Sequence, residues 1–555
     1  MFETAGCKLV GHNVNIQNFN LSGNNFVRRV DNPFFEQARQ GLFPIISKAC
    51  IFIFRMFHKK NPDRKSEIFY LVKYLPKQLK KYLLILFFIF LCATWSCLMQ
   101  KERTRSLYKL QNSVTDIPAD DSLSVMTAPA IEEGNAEAGY KYMTEGNAFS
   151  TGIPVELYKS LIRAKNSKVA RIAGYSKFAM NDFVIFKNET GRSTATPGCF
   201  HCHAQQFNDK LIAGLGNSYS SFQLNTALYL KLLEKNIKAR YGKNSNEWKT
   251  AERTFEVSHV LKGKIQTQMQ GPTPAQKIAE VMASHRDPVT LKFRADTTYF
   301  PVPSIVIPED VPALWIAKKR KAFTINAMRQ GNFLKHIVTT SILTLKDTVE
   351  AREIYDNTKD VWAWIKKLQP PKYPFAINQN LANRGKQIFL HTCSRCHGTY
   401  DKDGDYPNEL IPARVIGTDS LLWKYFIKYP EYAQWFNKSW FATSESPSST
   451  RPQKGYVPPP LDGVWITAPY LHNGSVPTIE NVLNSKTRPA YWKRNFNKEE
   501  YDYEKLGWLY KTLSKAGGKK TYNTDIPGYG NYGHTFGDHL TEGERKAVIE
   551  YLKTL

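Results

Sequence analysis

Residues 82–100 read YLLILFFIFLCATWSCLMQ, nineteen uncharged and mostly apolar positions directly behind the basic cluster KQLKK at 77–81. A run of that length can cross the hydrocarbon core of a bilayer. Its positive flank predicts that everything after it lies outside the cytoplasm, and the same pattern fits a signal peptide. Further along, apolar residues recur at three-to-four spacing over 221–240 and 332–345 and predict helices there. A third helix is expected over 379–393, and a capping box at Thr541 to Glu544 opens a last one running to Leu555. The Pro-rich stretch 296–312 reads as loop, and 398–470 holds many Gly, Pro and aromatic residues with little periodicity.

These elements predict a mainly α fold with long loops and few strands. Residues 1–76 form an N-terminal extension of uncertain role, within which Met56 offers a later start. The expected order after it is a signal or membrane anchor at 77–100, a polar linker at 101–140, and two bodies at 141–375 and 376–555, divided near Pro370-Pro371. The formal net charge of +27 does not imply nucleic acid, because the Lys and Arg of the body are scattered among Asp, Glu and aromatics. They describe a basic surface, suited at most to an acidic redox partner or an anionic membrane.

The cysteines change the picture. Of eight, Cys7, Cys50, Cys92 and Cys97 lie before, within or at the end of the apolar run, and the other four form the pairs Cys199/Cys202 and Cys393/Cys396. Each pair belongs to a C-x-x-C-H pentapeptide, CFHCH at 199–203 and CSRCH at 393–397. In an exported chain this is the attachment signature of c-type haem. Each thiol adds across one vinyl group, so two sulfurs are needed one turn apart, and the adjacent His is placed to bind iron axially. A zinc ribbon would leave the His after each second Cys unexplained, and a thioredoxin-like pair needs no His there. The motifs thus predict two covalently bound haems, with His203 and His397 as proximal ligands and His201 as a spacer.

The opposite axial positions are narrowed by what the chain contains. No methionine follows His397, and the imidazoles remaining in the C-terminal body are His472, His534 and His539. Between His203 and His259 there is no histidine, so an open position at the first haem is expected. Cys97 adds the option of a lipid anchor in place of an uncleaved span or a cleaved signal.

Several segments carry a more specific resemblance. PPLDGVWITAPYLHNGSVPTIENVL at 459–483 resembles the C-terminal signature of the bacterial dihaem cytochrome c peroxidase superfamily. Residues 199–218, 310–323, 385–400, 408–420 and 528–555 are most similar to its rubber-oxygenase-like branch. The resemblance implies two cytochrome c-like haem domains, a calcium ion between domains as an option, and His534 as the sixth ligand of the second haem. It places His472, the signature histidine, near a haem edge, and marks Trp315, in DVPALW, as an aromatic that relays an electron or lines a pocket. The function it implies is a peroxidase- or oxygenase-like oxidoreductase: peroxide or dioxygen at the N-terminal haem, electron transfer through the C-terminal one. Its partners would be a small redox protein or an organic substrate, on the periplasmic side of a bacterial membrane or secreted in soluble form. The rival expectation is a non-catalytic dihaem electron carrier.

Overall fold

The computed structural model of the chain describes residues 133–161, 183–189, 191–223, 227–518 and 520–555, together with Leu98, Glu102 and Ser106. The extension 1–76 and, apart from Leu98, the apolar run 82–100 lie outside the described residues. Residues Glu102–Leu555 form one compact unit.

Four helices frame the two cysteine motifs. Helix α1, Ala136–Glu145, starts on Asn135, whose side chain accepts from the Glu137 and Ala138 amides. Helix α2, Thr348–Lys367, starts on Asp347, which does the same for Val349 and Glu350. Helix α3, Gln379–Thr392, starts on Asn378 and ends at Cys393. Helix α4, Glu542–Leu552, starts on the capping box of Thr541 and Glu544. In each case a short polar side chain satisfies amides that the first helical turn leaves without partners. Helix α1 packs on α2 and α3 packs on α4.

Both crossings are close because a glycine stands at each. A Cβ added to Gly139 would strike the Asp360 carbonyl, and one added to Gly385 would strike the Ala547 carbonyl. Backbone-to-backbone approach of this kind needs a residue without a side chain. Gly385→Val should therefore cost about 1–3 kcal/mol by overpacking. Denaturant unfolding measures it, and an unchanged midpoint would contradict the contact.

The helical expectations at 221–240, 332–345, 379–393 and the C-terminus are met by Ala227–Tyr241, Phe333–Val338 continued as a 3-10 turn through Leu343, α3 and α4. The expected class is nevertheless corrected. The chain mixes α and β: the described residues hold fourteen strands in six small sheets, all paired antiparallel. Among the described residues, no helix is long and apolar enough to cross a membrane. The strands escape a pattern reading because they are two to five residues long, too short to show alternation. Several also pair across long stretches of chain, as Arg329–Gly331 does with Ser448–Thr450. The stretch 398–470, which shows little periodicity, contains four helices of four to eight residues.

The hydrophobic cores are shared along the chain. One joins Val281, Met328 and Ile354 to Leu421, Phe436 and Tyr529. A second joins Phe207 and Trp315 to Phe389, Trp465 and Tyr551. Three smaller clusters, among them the one around Phe200, Phe333 and Trp362, are built wholly from residues before 370. The segments around Pro312, Trp315 and Pro459 are thereby held against both cysteine motifs.

Candidate haem sites

The first motif forms a single helical turn. The amides of Cys202 and His203 both point to the Cys199 carbonyl, at 3.4 and 3.1 Å. The turn follows the strand Ser193–Pro197 and runs into the hairpin Ala204–Phe207 with Lys210–Ala213. Phe200 anchors it in the core against Tyr140 and Trp364. His203 Nδ1 lies 3.2 Å from the Pro312 carbonyl oxygen. A carbonyl can only accept, so the ring carries its proton on Nδ1 and presents Nε2 as a ligand. Burial lowers the His203 pKa to about 4 and pushes the Cys199 thiol up to about 11. The His201 carbonyl accepts from the Asn217 side chain.

The second motif repeats the arrangement at the end of α3. The Cys393 amide donates to Phe389, and the His397 amide donates to the Cys393 carbonyl at 3.0 Å. His397 Nδ1 lies 2.9 Å from the Pro459 carbonyl oxygen. Burial lowers its pKa, and it pushes the Cys393 thiol up to about 12. Among the described residues, no disulfide joins the four motif cysteines.

Here the structure brings a second imidazole into place. The rings of His397 and His534 stand 6.2 Å apart, centre to centre, at 64°. Two metal–nitrogen bonds of about 2.0 Å, with roughly 1.1 Å from each nitrogen to its ring centre, sum to about 6.2 Å. The pair would be spaced to hold one iron between them. Burial keeps His534 neutral, with its pKa lowered to about 4.

The loop carrying His534 is held with care. His534 itself takes φ +45°, and a Cβ on Gly533 would strike Gly417. The His534 amide donates to Ile416 at 2.8 Å. Arg488 donates to the carbonyls of Asn531, Gly533 and His534 at 2.6–2.9 Å, and to those of Asn481 and Val482 on its other side. The planar guanidinium thus spends its fork of donors fixing one loop.

Trp315 is fully buried between the motifs. Its indole N–H donates to the Asp462 carbonyl at 2.8 Å, three residues beyond Pro459, and its ring lies against Gly214. Gly214 in turn donates to the His203 carbonyl at 2.8 Å. The His472 ring stacks on Tyr456 at 4.4 Å, with Nε2 3.3 Å from the Tyr456 hydroxyl. Burial lowers its pKa to about 3. Tyr456 donates to the Asp419 carbonyl, and the Asp419 carboxylate accepts from Gly528 and Gly530. His539 is exposed. Among the described residues no group of three or more His, Cys, Asp or Glu could hold a metal ion, so the calcium option gains no ligand set.

Sequence reading missed the two proline carbonyls, Arg488 and Asp419. Nothing in their residue type marks them, although each proline lies within a segment already singled out for its resemblance.

A family model described as RoxA-like, cytochrome c-like matches residues 455–493. That stretch holds Pro458, Pro459, Tyr456 and His472. The match supports a RoxA-like cytochrome c branch for the C-terminal region, and with it a c-type cytochrome bearing a c-type haem. It is one cytochrome c-like match where two such domains were expected, which completes the correction of the fold class. The chain is also similar to two proteins of Sinorhizobium fredii (strain NBRC 101917 / NGR234), the uncharacterized proteins y4iJ and y4iM. Identity is 30% over 257 residues and 26% over 231 residues, covering 34% and 38% of this chain. The matches span 41% and 51% of the relatives' own lengths.

Proposed function

We propose that the chain is a dihaem oxidoreductase of peroxidase or oxygenase type, with one haem on each C-x-x-C-H motif. The observation that carries this reading is the difference between the two motifs. The His397 and His534 rings stand 6.2 Å apart, so that both could hold one iron, whereas the sequence has no histidine between His203 and His259. One site is thus built to be saturated and to pass electrons, and the other to receive a small oxidant, peroxide or dioxygen.

When bound, haem iron supplies the redox and oxygen chemistry. The chain's own residues do the rest. Cys199, Cys202, Cys393 and Cys396 would hold the haems, and the carbonyls of Pro312 and Pro459 keep the His203 and His397 imidazoles in one tautomer. Arg488 and the backbone of Ile416 aim His534. Trp315, hydrogen-bonded on the His397 side and packed on the His203 side, lies where an electron would cross between the sites. His472 acts through Tyr456 and Asp419 as a positioning residue for the loop before His534. The electrons would come from a small redox protein or from an organic substrate.

Electron paramagnetic resonance on the purified full chain, before and after carbon monoxide or peroxide, tests this. The expected result is one low-spin haem that ignores both ligands and one high-spin or exchangeable haem that responds. Two low-spin haems, inert in every redox state, would leave an electron-transfer cytochrome in its place.

A further inference from the structure

Arg320 is a buried cation with two unpaired guanidinium nitrogens, where each of the other buried arginines among the described residues has one. It is 9% exposed, and its Nε and Nη2 have no hydrogen bond. Among the described residues no carboxylate lies within ion-pair reach of it. The other buried arginines differ. Arg286 donates to Ile342 and Leu291, Arg329 to Thr339, Gln276 and Tyr432, and Arg494 to Ser218 beneath three aromatic faces.

A guanidinium cannot escape its burial by losing a proton, and an unpaired buried charge costs several kcal/mol. Its position is nonetheless fixed. The Lys321 amide donates to the Asn408 side chain at 2.6 Å, and Asn408 donates back to the Lys319 carbonyl at 2.9 Å. The backbone on both sides of Arg320 is therefore pinned to one asparagine. The charge of Arg320 is felt by Tyr406, whose phenol also feels Cys396 of the second motif. The Tyr406 hydroxyl donates to the Pro458 carbonyl, next to the Pro459 carbonyl that anchors His397. The cation thus stands beside the second motif, aimed by its neighbours, with free planar donors suited to a carboxylate.

We infer that Arg320 pairs with a carboxylate of the haem held at Cys393, Cys396 and His397, supplying the counter-charge that lets that acid stay ionised inside the protein. The inference rests on the haem reading of the second motif. A positive charge beside the iron disfavours its ferric form, so Arg320 also raises that haem's potential.

The test is spectroelectrochemical titration of the full-length haem-loaded protein, wild type against Arg320→Gln and Arg320→Lys, with haem counted by pyridine haemochrome. In Arg320→Gln the midpoint potential of the bis-imidazole haem should fall. It should also gain a pH dependence between about 5 and 8, as the stranded carboxylate begins to take up a proton. The other haem should not move, and Arg320→Lys should restore most of the wild-type behaviour. Should Arg320→Gln not accumulate, the same two readings on Arg320→Lys decide, since the ammonium keeps the charge and loses the fork: a partial fall in that potential supports the pairing. Unmoved, pH-independent potentials in fully loaded variants would overturn the inference while leaving the haem reading intact. So would a shift confined to the other haem. A wild type without haem on the second motif would overturn both.

Discussion

On the proposed dihaem reading, replacing His534 with alanine should turn a low-spin haem at the second motif into a high-spin one that binds carbon monoxide. The His534 ring stands 6.2 Å from that of His397, at 64°, where the two could hold one iron. Its loop leaves no slack for another residue to take its place. Arg488 ties down three of its carbonyls, and Gly533 lies directly on Gly417. His539, five residues on, is exposed and outside this clamp. His534→Met is the informative companion. Methionine favours ferrous iron, so the potential of that haem should rise while it remains low-spin. Electron paramagnetic resonance and a redox titration of the full chain read both variants. A low-spin signal unchanged in His534→Ala would remove His534 from the iron.

Paired removal of the thiols should have an equally large effect and should separate the two sites. Cys393→Ala with Cys396→Ala should halve the covalent haem, from two per chain to one, and leave the haem that responds to carbon monoxide. Cys199→Ala with Cys202→Ala should also leave one haem per chain, the one that is inert to carbon monoxide. The argument is local geometry. In each motif the first cysteine's carbonyl receives the amide of the histidine, at 3.1 Å in one and 3.0 Å in the other. Both sulfurs and the ligand therefore sit on one turn. Haem counting by pyridine haemochrome, with denaturing gels to confirm covalent attachment, measures the outcome. One haem per chain in the wild type would end the dihaem reading and assign the remaining cysteine pair to another use.

The two halves of the molecule were legible to different degrees. Helix α3 could be read from its period and α4 from the Thr541–Glu544 box, and both stand where expected. The shared use of glycine at the α1–α2 and α3–α4 crossings could not be read. Gly139 and Gly385 are single residues whose meaning depends on a carbonyl more than 150 positions away in each case. The β content was missed for a related reason. A strand such as Gly455–Tyr456 is two residues long and exists only because Ile411–Pro412 lies beside it.

What the sequence by itself determined is the local residue pattern: the thiol spacing, the adjacent histidines, and no methionine after His397. These are properties of contiguous residues, or of composition, and need no fold to express them. Tertiary structure decided how those residues are oriented. The carbonyls that fix the proximal rings come from 109 residues away for His203 and 62 for His397. Every residue owns a carbonyl, so no pattern could single these out. The same holds for Arg488 and Arg320, ordinary residue types whose roles arise from burial and from the loops that the shared cores press against them. Local bonding is written in neighbouring residues, whereas the field and geometry around a site are sums over distant ones, and only the folded chain assembles that sum.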